Sequence, residues 1–215
     1  MKNLIITVFS LLATFSFAEG PVDGKIYGKA NLSVVSQDNG DSDEWNLNSN
    51  ASRLGIKGKT SISEGLEIIY QAEYEICIDS GDCKGQTFKQ RNTFAGIKGN
   101  FGTLVAGKRD TPTKLAQQKI DLFNDLEGDI KNTFEGENRV SNIVAYTTPS
   151  MNGFSASLAM IPAEGDDVDQ NGSDDTGLND GMSYSLSYSK NNLYLVDFQQ
   201  LIAMFRNVFH HKILL

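Results

Sequence analysis

Apolar and polar positions along this chain recur with a period of two. The clearest run is residues 66–76, where Leu66, Ile68, Tyr70, Ala72, Tyr74 and Ile76 share one side. Glu67, Ile69, Gln71, Glu73 and Glu75 take the other. A helix would return its polar positions every three or four residues, so the pattern predicts a strand. Its length suits a tilted strand crossing a bilayer. Residues 53–60 alternate as well, with Arg53, Gly55, Lys57 and Lys59 opposite Leu54 and Ile56. Cations stacked along one face must meet water, so that face belongs either to a polar lumen or to the solvated side of a soluble sheet. Residues 24–35, 89–98, 103–108, 141–147, 154–161, 182–188 and 193–198 complete about nine predicted strands. In the run 89–98, Lys89 and Arg91 share a parity with Thr93 and Ala95, while Phe94 falls with the opposite set. Residues 37–49 are polar and acidic and read as a loop.

Two polar stretches interrupt the pattern. Residues 110–138 hold seven carboxylates against three lysines and are too long for an ordinary hairpin turn. We expect this loop to fold back into a lumen with its acids facing basic wall residues. Residues 162–180 hold seven carboxylates and no Lys or Arg. Within them Asp167, Asp169, Asn171, Gly172 and Asp175 follow the opening of a calcium loop, but Leu178 stands where that motif needs Glu. The stretch is either a cation bridge between outer loops or a solvated acidic loop.

Residues 1–18 carry the marks of an export signal: Lys2, an apolar run over 4–12, and small Ser16 and Ala18 before a polar boundary. No other window reaches the apolar length of a spanning helix. An exported chain of this kind is either soluble or an outer-membrane barrel. The compartment is oxidising, so Cys77 and Cys83 either close a small disulfide loop at a hairpin tip or stay free without a role. Apolar content of 40%, with 20 glycines and only 4 prolines, suits a barrel whose inward side chains are polar.

The formal charge of −8 argues against a nucleic-acid partner, and by itself it points weakly to a preference for cations. The only histidines are the adjacent His210 and His211, so a Ser–His–Asp site is not expected. No cofactor and no enzymatic activity are expected. From Gln199 the chain loses its period of two, and reads as a weakly amphipathic helix or as sequence without a structural role. A frameshift, or a fragment of a longer gene, is the simplest origin for that tail.

Four segments carry a resemblance to a known family: IYGKANLS (26–33), SRLGIKGKTSISEGLEIIYQAEYE (52–75), RNTFAGIKGNFGTLVAGKRDTP (91–112) and NRVSNIVAYTTPSMNGF (138–154). In this order and spacing they resemble the N-terminal half or more of a general porin of the Gram-negative outer membrane. The resemblance implies an all-β, antiparallel transmembrane barrel of the 16-stranded type, of which about nine strands are present. It divides the chain into a signal at 1–18, a partial barrel over 19–198 with a constriction loop at about 110–138, and a non-barrel tail at 199–215. It implies passive diffusion of small hydrophilic solutes and ions, and homotrimer assembly by a full-length chain. Outer-membrane lipid and lipopolysaccharide would surround it. Arg53, Lys89, Arg91 and Arg139 would form the basic wall, and Asp121, Asp125 and Glu127 are the expected acids of the loop. An exported surface β protein or adhesin, or a non-functional porin fragment, is the alternative.

Overall fold

The computed structural model describes residues 23–38, 43–118, 120–126, 128–134, 136–162, 164, 181–191, 193–202 and 212–214. Among these, ten strands pair in one antiparallel sheet. They are β1 (Asp23–Lys29), β4 (Arg53–Ser63), β5 (Leu66–Glu75), β6 (Lys89–Gly99), β7 (Gly102–Asp110), β8 (Arg139–Thr147), β9 (Phe154–Ile161), β10 (Gly181–Lys190), β11 (Leu193–Ile202) and the short β12 (Lys212–Leu214). From β4 onward, chain order is sheet order. That is the meander expected of consecutive hairpins in a barrel wall. No helix among the described residues is long and apolar enough to cross a membrane, which says nothing of strands.

The register lays the two faces out as adjacent rows. Thr60, Ile68, Ile97, Leu104, Tyr146, Leu158 and Tyr184 are successive cross-strand partners from β4 to β10. The six large apolar side chains in that row are all exposed. One residue over, Lys59, Ile69, Gly96, Val105, Ala145, Ala159 and Ser183 are likewise partners, and Val105, Ala145, Ala159 and Ser183 are buried. A sheet in water would bury the row of large side chains and expose the small and polar one. The reverse arrangement is what a bilayer outside and a filled, polar interior require. Val105, Ile143, Ala145 and Ala159 form the interior apolar cluster, with Ile69, Phe94, Val140 and Ile161 packed against it.

Several sequence expectations need correction. The single strand over 24–35 is two, because the chain leaves the main sheet at Asn31. There the Asn31 N–H donates to Ser52 Oγ (2.9 Å), the Asn31 amide donates to the Asn50 carbonyl (3.0 Å), and Asn50 N–H donates to the Asn31 carbonyl (2.8 Å). These bonds replace the ladder at the branch point. The chain then continues as β2 (Leu32–Asp38), which pairs with β3 (Asp43–Ser49) in a separate hairpin. Residues 43–49, expected to be loop, therefore form a strand; their acidic, Asn-rich composition hid the alternation of Trp45 and Leu47 with Asn46 and Asn48. Phe94 shares the inner face with Arg91 because the β5–β6 register shifts between Ala72 and Tyr74. This bulge inverts the parity on one side of it. Finally, β11 runs four residues past Phe198, pairing Gln199, Gln200, Leu201 and Ile202 with β10. The expected boundary at 198 falls inside that strand.

Candidate pore constriction

The loop between β7 and β8 is built from local capping and then docked at both ends. Its base closes where the Thr111 N–H donates to the Asn138 carbonyl (3.0 Å). Thr111 then caps a short helix, α1 (Pro112–Ala116), by accepting from the Lys114 N–H, and Pro112 opens its first turn. Thr before Pro is a favoured helix start because the cap supplies an acceptor and Pro lacks the N–H that would be orphaned. The helix buries Thr113, whose hydroxyl lies 2.9 Å from Ser183 Oγ on β10. Tyr194 on β11 donates its hydroxyl to the Ala116 carbonyl (2.8 Å), and the Phe134 ring meets Phe198 edge-on at 5.8 Å. These contacts fasten one end of the loop to β10 and β11.

The far end reaches the wall at β1 and β4. Asp125 lies 2.6 Å from Arg53 Nη2 and 3.5 Å from Lys29 Nζ. Its backbone is left-handed at φ 68°, a conformation Asp tolerates better than most residues. Two neighbouring acids hold that turn. Asp121 accepts from the N–H groups of Phe123 and Ile130, at 3.0 and 3.3 Å. Asp129, almost fully buried, accepts from the N–H groups of Asp125 (2.8 Å) and Lys131 (2.9 Å) and pairs with the Lys131 ammonium at 3.0 Å. Burial alone would raise the Asp129 carboxyl, but these donors outweigh it and hold the group below the usual aspartate range.

Facing the loop, β5, β6, β7 and β8 carry an ionic lattice. Arg91 donates through Nε to Glu73 (2.8 Å) and through Nη1 to Glu75 (3.3 Å). Glu73 also accepts from the Tyr27 hydroxyl (2.8 Å), which in turn accepts from Gln71. Arg139 Nη2 sits 2.9 Å from Asp110, and Asn92 bridges the two through its amide. Lys114, from α1, approaches Asp110 at 3.7 Å and Glu137 at 3.5 Å. Lys89 is 3.9 Å from Glu75 and half exposed.

Loop and wall enclose a polar cavity of about 600 Å³. Arg53, Lys89, Arg91 and Arg139 all line it, brought together from three strands. Among the three acids expected from sequence, Asp125 lines the cavity and Asp121 instead shapes the turn behind it. Glu127 lies outside the described residues, as do Asp167, Asp169, Asn171 and Asp175. Cys77 and Cys83 are joined by a disulfide with Cα atoms 5.3 Å apart. Sequence reasoning missed Asp110, Asp129, Glu137, Lys84, Lys114 and Lys131, which also line the cavity. Alternation also left open whether Lys108 or Arg109 faces inward, and the β7–β8 register shifts beside them, between Gly107 and Arg109.

Comparison with known proteins agrees with this architecture. Residues 6–199 match the model of a family described as Gram-negative porin. Outer membrane porin protein 32 of Delftia acidovorans is 28% identical over 172 residues, covering 73% of this chain and 48% of that protein. Major outer membrane protein P.IA of Neisseria meningitidis is 32% identical over 115 residues, covering 52% of this chain and 28% of its own length. The chain thus spans about half the length, or less, of these relatives. Among solved structures, the anion-selective porin from Comamonas acidovorans superposes with a TM-score of 0.66 at 20% identity, covering 84% of this chain and 59% of that one. Salmonella typhi OmpF, in complex with daunomycin, superposes with a TM-score of 0.59 at 16% identity, covering 82% and 53%.

Proposed function

Because this chain belongs to the Gram-negative porin family, we propose that it forms the constricted part of a passive diffusion channel for small hydrophilic solutes and ions in the bacterial outer membrane. The observation that carries this reading is the loop fastened to β10 and β11 at one end and to Arg53 at the other, leaving a charged cavity between loop and wall. Carboxylates opposite guanidinium and ammonium groups set up a transverse field across such a gap. Polar solutes can exchange their water for these groups, whereas an apolar solute would disrupt ordered water and gain nothing. Arginine suits the wall because it stays charged and its fork is held by neighbouring acids.

The cavity lining, more than the overall charge, sets the ion preference, because the field is local and screened over a short distance. Seven cations line it: Arg53, Lys84, Lys89, Arg91, Lys114, Lys131 and Arg139. Five carboxylates oppose them: Glu75, Asp110, Asp125, Asp129 and Glu137. The excess supports a preference for anions, opposite in sign to what the net charge of −8 suggests. Residues 1–18 serve as the export signal in this reading. The exposed apolar row faces lipid and lipopolysaccharide, and the whole protein assembles as a homotrimer, as the family resemblance implies.

The test is reconstitution in planar bilayers and liposomes. Discrete conductance steps, permeation of small sugars that falls with solute size, and a reversal potential of the sign for anions in a salt gradient are expected. Absence of conductance from correctly folded protein would remove the channel reading, and a cationic reversal potential would remove the anion preference.

A further inference from the structure

The excess positive charge in the cavity can be traced to particular residues. Every carboxylate in the lining already has a cation: Glu75 has Arg91 and Lys89, Asp110 has Arg139 and Lys114, Asp125 has Arg53 and Lys29, Asp129 has Lys131, and Glu137 has Lys114. Among the described residues, Lys84 is the one lining cation with no carboxylate within 4.0 Å. It is also the one lining residue contributed by the segment between β5 and β6, which is closed by the Cys77–Cys83 disulfide.

That segment is heavily bonded for an exposed loop. Gly81 N–H donates to the Cys77 carbonyl (2.6 Å), and Cys83 N–H donates to the Gln86 carbonyl (2.7 Å). Gly85 N–H donates to Asp82 Oδ1 (2.6 Å), and Ser80 Oγ donates to the Asp82 carbonyl (3.1 Å). Between Cys83 and Gly85 the backbone turns left-handed at Lys84 itself, φ 57°. A lysine seldom adopts this conformation without being held there. The two acids of the loop do not cancel it: Asp82 is used by Gly85, Asp79 by the Ser80 hydroxyl, and neither lines the cavity. Cys83 is buried beneath the turn.

We infer that Lys84 is a charge-selectivity determinant of the pore, held at the cavity rim by the Cys77–Cys83 disulfide so that its ammonium draws hydrated anions toward the basic wall. This rests on the channel reading above. A cation that is already neutralised attracts a passing anion weakly, because its partner repels the anion over nearly the same distance. An unpartnered one at the rim acts at full strength within the screening length.

The experiment compares reversal potentials in a potassium chloride gradient for the wild-type chain, K84Q, K84R, C77S/C83S and K84Q/C77S/C83S. K84Q is expected to lower the anion-to-cation permeability ratio about twofold, and K84R to retain it. C77S/C83S should shift it in the same direction, and the triple variant should shift it no further than K84Q alone. If the wild-type pore prefers anions and K84Q matches it, the inference fails while the channel reading stands. If the wild-type pore shows no anion preference, the reading fails and takes the inference with it. If K84Q shifts the ratio and an inserting C77S/C83S variant does not, the disulfide has no part in holding Lys84. Should the cysteine variants fail to insert, the contrast of K84Q with K84R still decides the role of the charge.

Discussion

Arg53 and Asp125 stand 72 residues apart in the chain and 2.6 Å apart in space. This pair ties the free end of the loop to the wall, and Lys29 shares the same carboxylate oxygen at 3.5 Å. Both partners are largely shielded, yet they border a wet cavity, so the pair is worth less than a fully buried one: about 1–2 kcal/mol. Asp125→Asn should loosen the loop, giving larger and noisier single-channel steps, and Arg53→Gln should do the same. Combining them should add little, since each removes the same tether. Additive effects in the double variant would show that the two residues act independently.

The Glu73–Arg91 pair should matter more for stability than for permeation. Both residues are buried, and Glu73 collects donors from β1 as well as β6. Glu73→Gln leaves the Arg91 guanidinium with Glu75 alone, at an expected cost of about 2–4 kcal/mol. Tyr27→Phe removes one bond and should cost about 1 kcal/mol. The temperature at which the compact, fast-migrating form on a gel converts to the unfolded form measures both. Equal conversion temperatures for Glu73→Gln and wild type would mean that the lattice does not hold the wall together.

Gly107 adjoins the register shift between β7 and β8 and lies two residues before Arg109. Its φ is +137°, and a Cβ there would stand 2.5 Å from the Thr93 carbonyl oxygen and 2.8 Å from the Phe94 Cα. Both obstacles are backbone, so neither can swing aside. Gly107→Ala should cost about 3 kcal/mol and sharply lower the folding yield in detergent. Gly81, at φ +75° in the disulfide loop, has nothing within 4 Å. Gly81→Ala therefore meets only the backbone preference, about 1 kcal/mol. Similar yields for the two variants would contradict the steric account.

What the sequence revealed and what it hid follow from the same physics. The strands of the main sheet were legible because one face carries large exposed apolar side chains and the other small or polar ones, which writes a period of two into the chain. Arg53 could be placed on the polar face for that reason, whereas Lys89 and Arg91 were placed on the wall by the family resemblance. Parity fails at a bulge, and two bulges, between Ala72 and Tyr74 and between Gly107 and Arg109, lie beside the cavity. Alternation therefore set Phe94 on the face opposite Arg91, and it left open whether Lys108 or Arg109 points inward. The loop acids were harder still. Asp121, Asp125 and Asp129 recur at intervals of four with the same chemistry, and only the fold decides which one reaches the wall and which two shape the turn. The β2–β3 hairpin was missed because its turn is acidic and its apolar residues, Trp45 and Leu47, are exposed rather than buried.

The turn that presents Asp125 should resist acid down to an unusually low pH. Asp129 holds that turn through the N–H groups of Asp125 and Lys131, and its carboxyl titrates below the ordinary aspartate value. A carboxyl whose value is depressed on folding contributes stability that is fully present above its unfolded value, about 3.9, and is lost as pH falls through the lower folded value. Channel noise and conductance in the wild type should therefore stay flat from neutrality down to about pH 4 and change only below it. Asp129→Asn keeps one acceptor but turns a donor toward an N–H, so the loop should be noisy at every pH and the acid step should disappear. Single-channel recordings across pH check both. A wild-type transition well above pH 5 would show that some other group governs the loop.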